Sequence, residues 1–108
     1  MVLVTTATEL VDHYFELAPG ADTAPYFAQF ADHAIVEDEG QTHRGVEAIK
    51  AWRAAVPGVT YTVLDVRTTG DEHVARAEIA GEFPGSPVVL TFHFTFTGEG
   101  KIETLAIR

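Results

Sequence analysis

AIVEDEGQTHRGVEAIKAWR, residues 34–53, changes its hydrophobic period in the middle. Ala34 to Asp38 alternates as a strand does, so Ala34, Val36 and Asp38 share one face while Ile35 and Glu37 share the other. The acidic run is Glu37-Asp38-Glu39, and only Asp38 lies on the Ala34 and Val36 face. Gly40 to Gly45 reads as a turn. Val46, Ile49, Trp52 and Val56 then recur at helical spacing, and Pro57-Gly58 stops that helix. An acid at a strand end, followed by a turn and an amphipathic helix, is either a solvated edge or a base at the mouth of a cavity. The rest of the chain bears on which.

Upstream, Thr6-Ala7-Thr8-Glu9 fits a capping box. Leu10, Tyr14, Leu17 and Ala18 follow at helical spacing, and Pro19-Gly20 ends the helix. A second, short helix is expected over Ala21 to Asp32, capped by Asp22 or Thr23, with Pro25 in its first turn. Its aromatic face carries Tyr26, Phe27 and Phe30, and Asp32-His33 makes the turn into the first strand.

Downstream the period becomes two. Strands are expected over Val59 to Thr68, His73 to Phe83, Val88 to Thr97 and Lys101 to Ile107. Short turns separate them, at Thr69-Gly70-Asp71, Pro84-Gly85-Ser86-Pro87 and Gly98-Glu99-Gly100, which implies an antiparallel meander. In the third of these strands Val88, Leu90, Phe92, Phe94 and Phe96 fall on one side, facing a core or cavity. Val89, Thr91, His93, Thr95 and Thr97 fall on the other, facing water or a partner subunit. The resulting plan is α+β: a cone-shaped, strongly curved, mostly antiparallel sheet covered by three N-terminal helices. The mouth of such a cone is a natural small-molecule pocket.

The bulk numbers narrow the function. At 108 residues the chain is expected to form one domain over 1–108. Seven Lys and Arg against 16 Asp and Glu give a net charge of −9, which disfavours nucleic acid and anionic membrane surfaces. There is no cysteine, hence no disulfide and no thiolate chemistry. The N-terminus MVLVTTATEL shows no secretory pattern and no apolar run approaches a membrane span, so a cytoplasmic location is expected. The five histidines, at 13, 33, 43, 73 and 93, form no H-x-H or H-E-x-x-H pair, so no metal is expected.

Two segments carry a family resemblance. Phe30-Ala31-Asp32-His33-Ala34-Ile35-Val36-Glu37-Asp38 is similar to the "FADDA-x-VED" approach to the first strand in the nuclear transport factor 2-like superfamily, in its SnoaL-like and ketosteroid-isomerase-like branch. Arg44-Gly45 with Ala48-Ile49 resembles that family's "RG-x-x-AI" helix start. The likeness runs over nearly the whole chain. It implies a cystatin-like cone, an apolar small-molecule ligand, a homodimer and no cofactor. It further implies Asp38 as the base that moves a proton beside a ketone, and Tyr14 as the hydrogen-bond donor to the enolate oxygen. Two departures stand out: Phe92 occupies the place of the family's second donor, and Arg53 replaces an aromatic residue that supports the tyrosine.

The chemistry holds without the likeness. Removing a proton beside a carbonyl needs a carboxylate near the C–H and a donor near the oxygen. Trp52, Phe92, Phe94, Phe30 and Val36 are the expected ligand contacts. Two functions lead: a cofactor-independent isomerase or cyclase, and a ligand-binding or dimerising module without catalysis. Two weaker ones stay open: a site resembling epoxide hydrolases, whose partner acid on the late strands is missing here, and a protein-interaction scaffold using the sheet's outer face.

Overall fold

The computed structural model describes residues 6–20, 23–55 and 58–108. Helix α1, Ala7–Leu17, starts on Thr6, whose Oγ1 accepts a hydrogen bond from the Glu9 amide at 3.1 Å. Its buried stripe is Val11, Tyr14, Phe15 and Ala18, rather than the stripe of Leu10, Tyr14, Leu17 and Ala18 expected from spacing. Both stripes fit the helical period. The difference is a rotation about the axis, set by the sheet aromatics that Tyr14 and Phe15 meet.

Helix α2 is shorter than expected. It spans Thr23–Ala28, and strand β1 already begins at Phe30 and runs to Asp38. The reason is pairing that the local sequence does not display. Phe30 lies opposite Ile102 in a parallel ladder, and the Ile102 amide donates to the Gln29 carbonyl at 2.8 Å. Asp32-His33 therefore belongs to the strand. The expected cap Asp22 and the helix-ending residues Val56 and Pro57 lie outside the described residues.

The expected turn over Gly40–Gly45 is also a strand in part. Glu39 and Gly40, with φ of 52° and 75°, form a two-residue loop. It lets β2, Gln41–Arg44, fold back on β1 with Asp38 opposite Gln41. Positive φ at both loop positions matches the twist of a hairpin. Helix α3, Val46–Ala55, follows and buries Ile49.

Strands β3 (Val59–Thr69), β4 (Glu72–Gly81), β5 (Val88–Phe96) and β6 (Ile102–Ile107) form the antiparallel meander. Parallel pairing of β6 with β1 completes one curved, unclosed sheet in the order β2-β1-β6-β5-β4-β3. Register breaks between Val63 and Asp65 and between Thr95 and Phe96 sharpen the local twist. The helices cover its concave face, where Ala34, Val36, Ala75, Ala77, Phe92, Phe94, Ile102 and Leu105 form the core. On the convex face His93 Nδ1 lies 2.9 Å from Glu72 Oε1, and Thr95 hydrogen-bonds Thr104. Val89 stands exposed there, and Leu64 is exposed at the register break of β3. Among the described residues, no helix is long and apolar enough to cross a membrane.

Candidate functional site

A cavity of about 320 Å³ opens between α1, α2, α3 and the concave face of the sheet. This is near the lower limit for small-molecule sites. Buried side chains of Tyr14, Tyr26, Ile79 and Phe92 form its floor. Asp38, Trp52, Arg53, Val59, Tyr61, Phe83, Leu90 and Ile107 form half-buried walls, and the exposed Glu39 and Ala55 mark the rim.

Asp38 reaches the wall because strand alternation continues from Ala34 and Val36, both buried, into a residue at the strand's end. The helix α3 residue Trp52 fixes the carboxylate, donating its indole N–H to Asp38 Oδ2 at 3.0 Å. Among the described residues no donor reaches Oδ1. One oxygen is therefore anchored and the other is available to a ligand. The Trp52 ring is itself flanked by His43, with centroids 6.1 Å apart.

Tyr14 and Tyr26 supply the opposite polar group. Their hydroxyls lie 3.0 Å apart. Two phenols own two O–H donors, and their mutual bond uses one. The other can point at a ligand oxygen. Burial holds both phenols well above the usual tyrosine range, so both stay protonated donors. Tyr61 is raised as well, chiefly by burial. The Arg53 guanidinium sits 5.2 Å from the Tyr26 ring centre and donates through Nη2 to the Ala18 carbonyl.

Four of the residues singled out in the sequence meet in this cavity: Asp38, Tyr14, Trp52 and Phe92. The other three do not line it. Phe94, Phe30 and Val36 are 0%, 4% and 0% exposed and pack in the closed core. Phe94 lies against the ring of Tyr14, at 5.2 Å, and stacks on Phe96. The cavity also holds Tyr26, placed by its spacing only on the aromatic face of the second helix, and Tyr61, which is not among the residues singled out in the sequence. The alternation of Val59, Tyr61 and Val63 along β3 was the signal for Tyr61, since it sets all three on one face. Among the described residues, no three His, Asp or Glu side chains cluster closely enough to hold a metal ion.

The SnoaL-like domain profile matches residues 11–104, from the first buried residue of α1 to the middle of β6. The chain belongs to the SnoaL-like domain family. This SnoaL-like chain is similar to a candidate polyketide cyclase from Sinorhizobium meliloti, with 39% identity over 93% of this chain and 94% of that one, and a TM-score of 0.86. A Sphaerobacter thermophilus protein is 25% identical over 97% and 96% of the two chains, with a TM-score of 0.82. A Catenulispora acidiphila protein with a ketosteroid isomerase-like fold, solved with trimethylamine, shares 21% identity over 95% and 86%, with a TM-score of 0.78. The last likeness shows the fold alone. No curated protein matches the chain.

Proposed function

We propose that this SnoaL-like domain carries out cofactor-independent acid–base chemistry on a small, largely apolar ketone, as an isomerase or cyclase. One observation carries the reading: Asp38, with one carboxylate oxygen held by Trp52, and the hydrogen-bonded Tyr14–Tyr26 pair line the same largely apolar cavity. Asp38 Oδ1 takes a proton from the carbon beside the carbonyl. The C–H electron pair moves into the C–C bond, and the carbonyl π pair moves onto oxygen. The spare phenol O–H of the tyrosine pair donates to that oxygen as its charge grows. Protonated Asp38 then returns the proton to another carbon, which completes an isomerisation. In a cyclase, the enolate carbon instead attacks a second carbonyl of the same substrate, whose π pair moves onto its oxygen and takes the proton back from Asp38, restoring the carboxylate. Likeness to the Sinorhizobium meliloti polyketide cyclase candidate supports the second outcome.

Trp52 positions the base. A carboxylate with one oxygen tethered cannot rotate freely, and such positioning is a large part of what general-base sites supply. The direct test uses cyclohex-3-enone, whose isomerisation to the conjugated enone is followed by absorbance. Asp38→Asn keeps the shape and the Trp52 neighbour but removes the base, so the rate should fall by ~10²–10⁴-fold. Equal rates in both proteins would remove Asp38 as the base and leave a ligand-binding module.

A further inference from the structure

The cavity wall carries two opposite charges that do not pair with each other. Asp38 bonds Trp52, and Arg53 bonds the Ala18 carbonyl and lies over Tyr26. Ion pairs do form elsewhere in the chain, at Arg76–Asp65, Arg108–Glu37 and Lys50–Glu47, but none among the described residues joins Arg53 to a carboxylate. A half-buried guanidinium without a counter-ion is costly, because partly desolvated charges normally have a partner. It is more notable in a chain of net charge −9, where acids outnumber bases 16 to 7. Arg53 keeps four N–H donors beyond the one given to Ala18. It is the one cation among the residues that line the cavity.

From this separation of charges we infer that the cavity is built for a small apolar molecule bearing a carboxylate, which seats on Arg53 with its apolar body against Ile79, Leu90 and Phe92. The inference rests on the proposed use of the cavity and names the substrate class: a keto acid, with the carboxylate on Arg53 and the acidic C–H toward Asp38. The acids that face such a ligand are Asp38 and Glu39 on the first strand and its turn. They set its orientation, since the carboxylate is repelled from their end and drawn to the α3 wall. The field of Arg53 also reaches the phenols of Tyr14, Tyr26 and Tyr61, which it favours in their ionised form, so its positive potential fills the polar side of the cavity.

The test exploits the single tryptophan. Trp52 lines the cavity, so its fluorescence reports occupancy. Two probes of similar shape, which absorb too weakly in the near ultraviolet to mask the indole, are adamantane-1-carboxylate and 1-acetyladamantane, which differ in charge. Wild type should bind the carboxylate at least about tenfold more tightly than the ketone, the factor expected for one charge-assisted pair. Arg53→Met should abolish that preference and leave ketone binding within about twofold. Arg53→Lys, which keeps the charge, should retain most of it, and so separates loss of charge from loss of fold. Equal binding of the two probes to wild type would overturn the carboxylate inference and leave the ketone-binding cavity standing. So would a preference that survives in Arg53→Met. Binding of neither probe would overturn the inference and the proposed function together.

Discussion

Two strands each cross the same boundary within two residues. On β1, Val36 is sealed in the core and Asp38 borders the cavity. On β5, Phe94 is sealed and Phe92 borders the cavity. Each pair shares one face of the sheet, so alternation treats its members alike. What separates them is depth along the strand. Helix α1 packs on both aromatics, with Tyr14 and Phe15 at 5.2 and 6.2 Å from Phe94 and at 6.3 and 5.0 Å from Phe92, but only Phe94 is also stacked on Phe96. Phe92 instead borders the cavity, which α3 walls with Trp52 and Arg53. Here the filled end closes the core and the unfilled end leaves a cavity bordered by Asp38, Tyr14 and Tyr26.

Cutting the same side chain at both ends tests this division. Phe94→Ala leaves a void among packed rings and should cost ~3–5 kcal/mol of stability. Phe92→Ala removes a ring that already borders open space, so the new volume merges with the cavity and part of the loss is recovered by solvent. Its cost should fall below that of Phe94→Ala, clearly resolved in urea unfolding. Equal costs for the two variants would erase the distinction between core and cavity.

The floor of the cavity is where the two regions touch, and alkaline pH probes it. Tyr14 and Tyr26 keep their protons to higher pH in the folded chain than in the unfolded one, because burial disfavours the phenolate. The folded state thus binds more protons above the ordinary tyrosine range. The stability these groups contribute is fully present below about pH 10 and is lost as pH rises beyond it. Each fully shifted tyrosine adds ~1.4 kcal/mol per pH unit to the slope. Tyr14→Phe should remove up to that amount from the slope measured above about pH 10, beside a loss of ~0.5–1.5 kcal/mol at neutral pH from the broken Tyr14–Tyr26 bond. A slope unchanged by Tyr14→Phe would mean that water reaches the phenol and that the floor is not closed.

Much of this arrangement was legible in the chain. The alternation Ala34, Val36, Asp38 set the acid on the inner face, and the run from Val88 to Phe96 set the inner aromatics, as the burial of Phe92 and Phe94 shows. Which of those aromatics would face a cavity was not legible, because it depends on how far α1 and α3 extend over the sheet, and no local period encodes that. The early start of β1 at Phe30 was hidden for a similar reason. Its partner is Ile102, and a parallel pairing between the first and last long segments leaves no trace in either one. Tyr26 sits on a helical aromatic face beside Phe27, and only the approach of α1 turns its hydroxyl toward Tyr14.

The hairpin beside Asp38 was missed because its loop uses an unusual residue, and that residue gives the smallest test of the comparison. Glu39 is the one non-glycine with positive φ among the described residues, and it sits at the rim of the cavity. Side chains with a Cβ resist this conformation, whereas asparagine accepts it and is the favoured first residue of a two-residue loop before glycine. Strain of this kind gathers at the open end, with no counterpart among the non-glycine residues of the packed end. Glu39→Asn should therefore stabilise the chain by ~0.5–1 kcal/mol, seen as a higher urea midpoint with an unchanged slope. The hairpin register that holds Asp38 opposite Gln41 should persist, so Trp52 fluorescence should stay as in wild type. A midpoint that falls instead would mean that Glu39 is held in place by its own contacts at the rim, and that the mouth of the cavity is stabilised rather than strained.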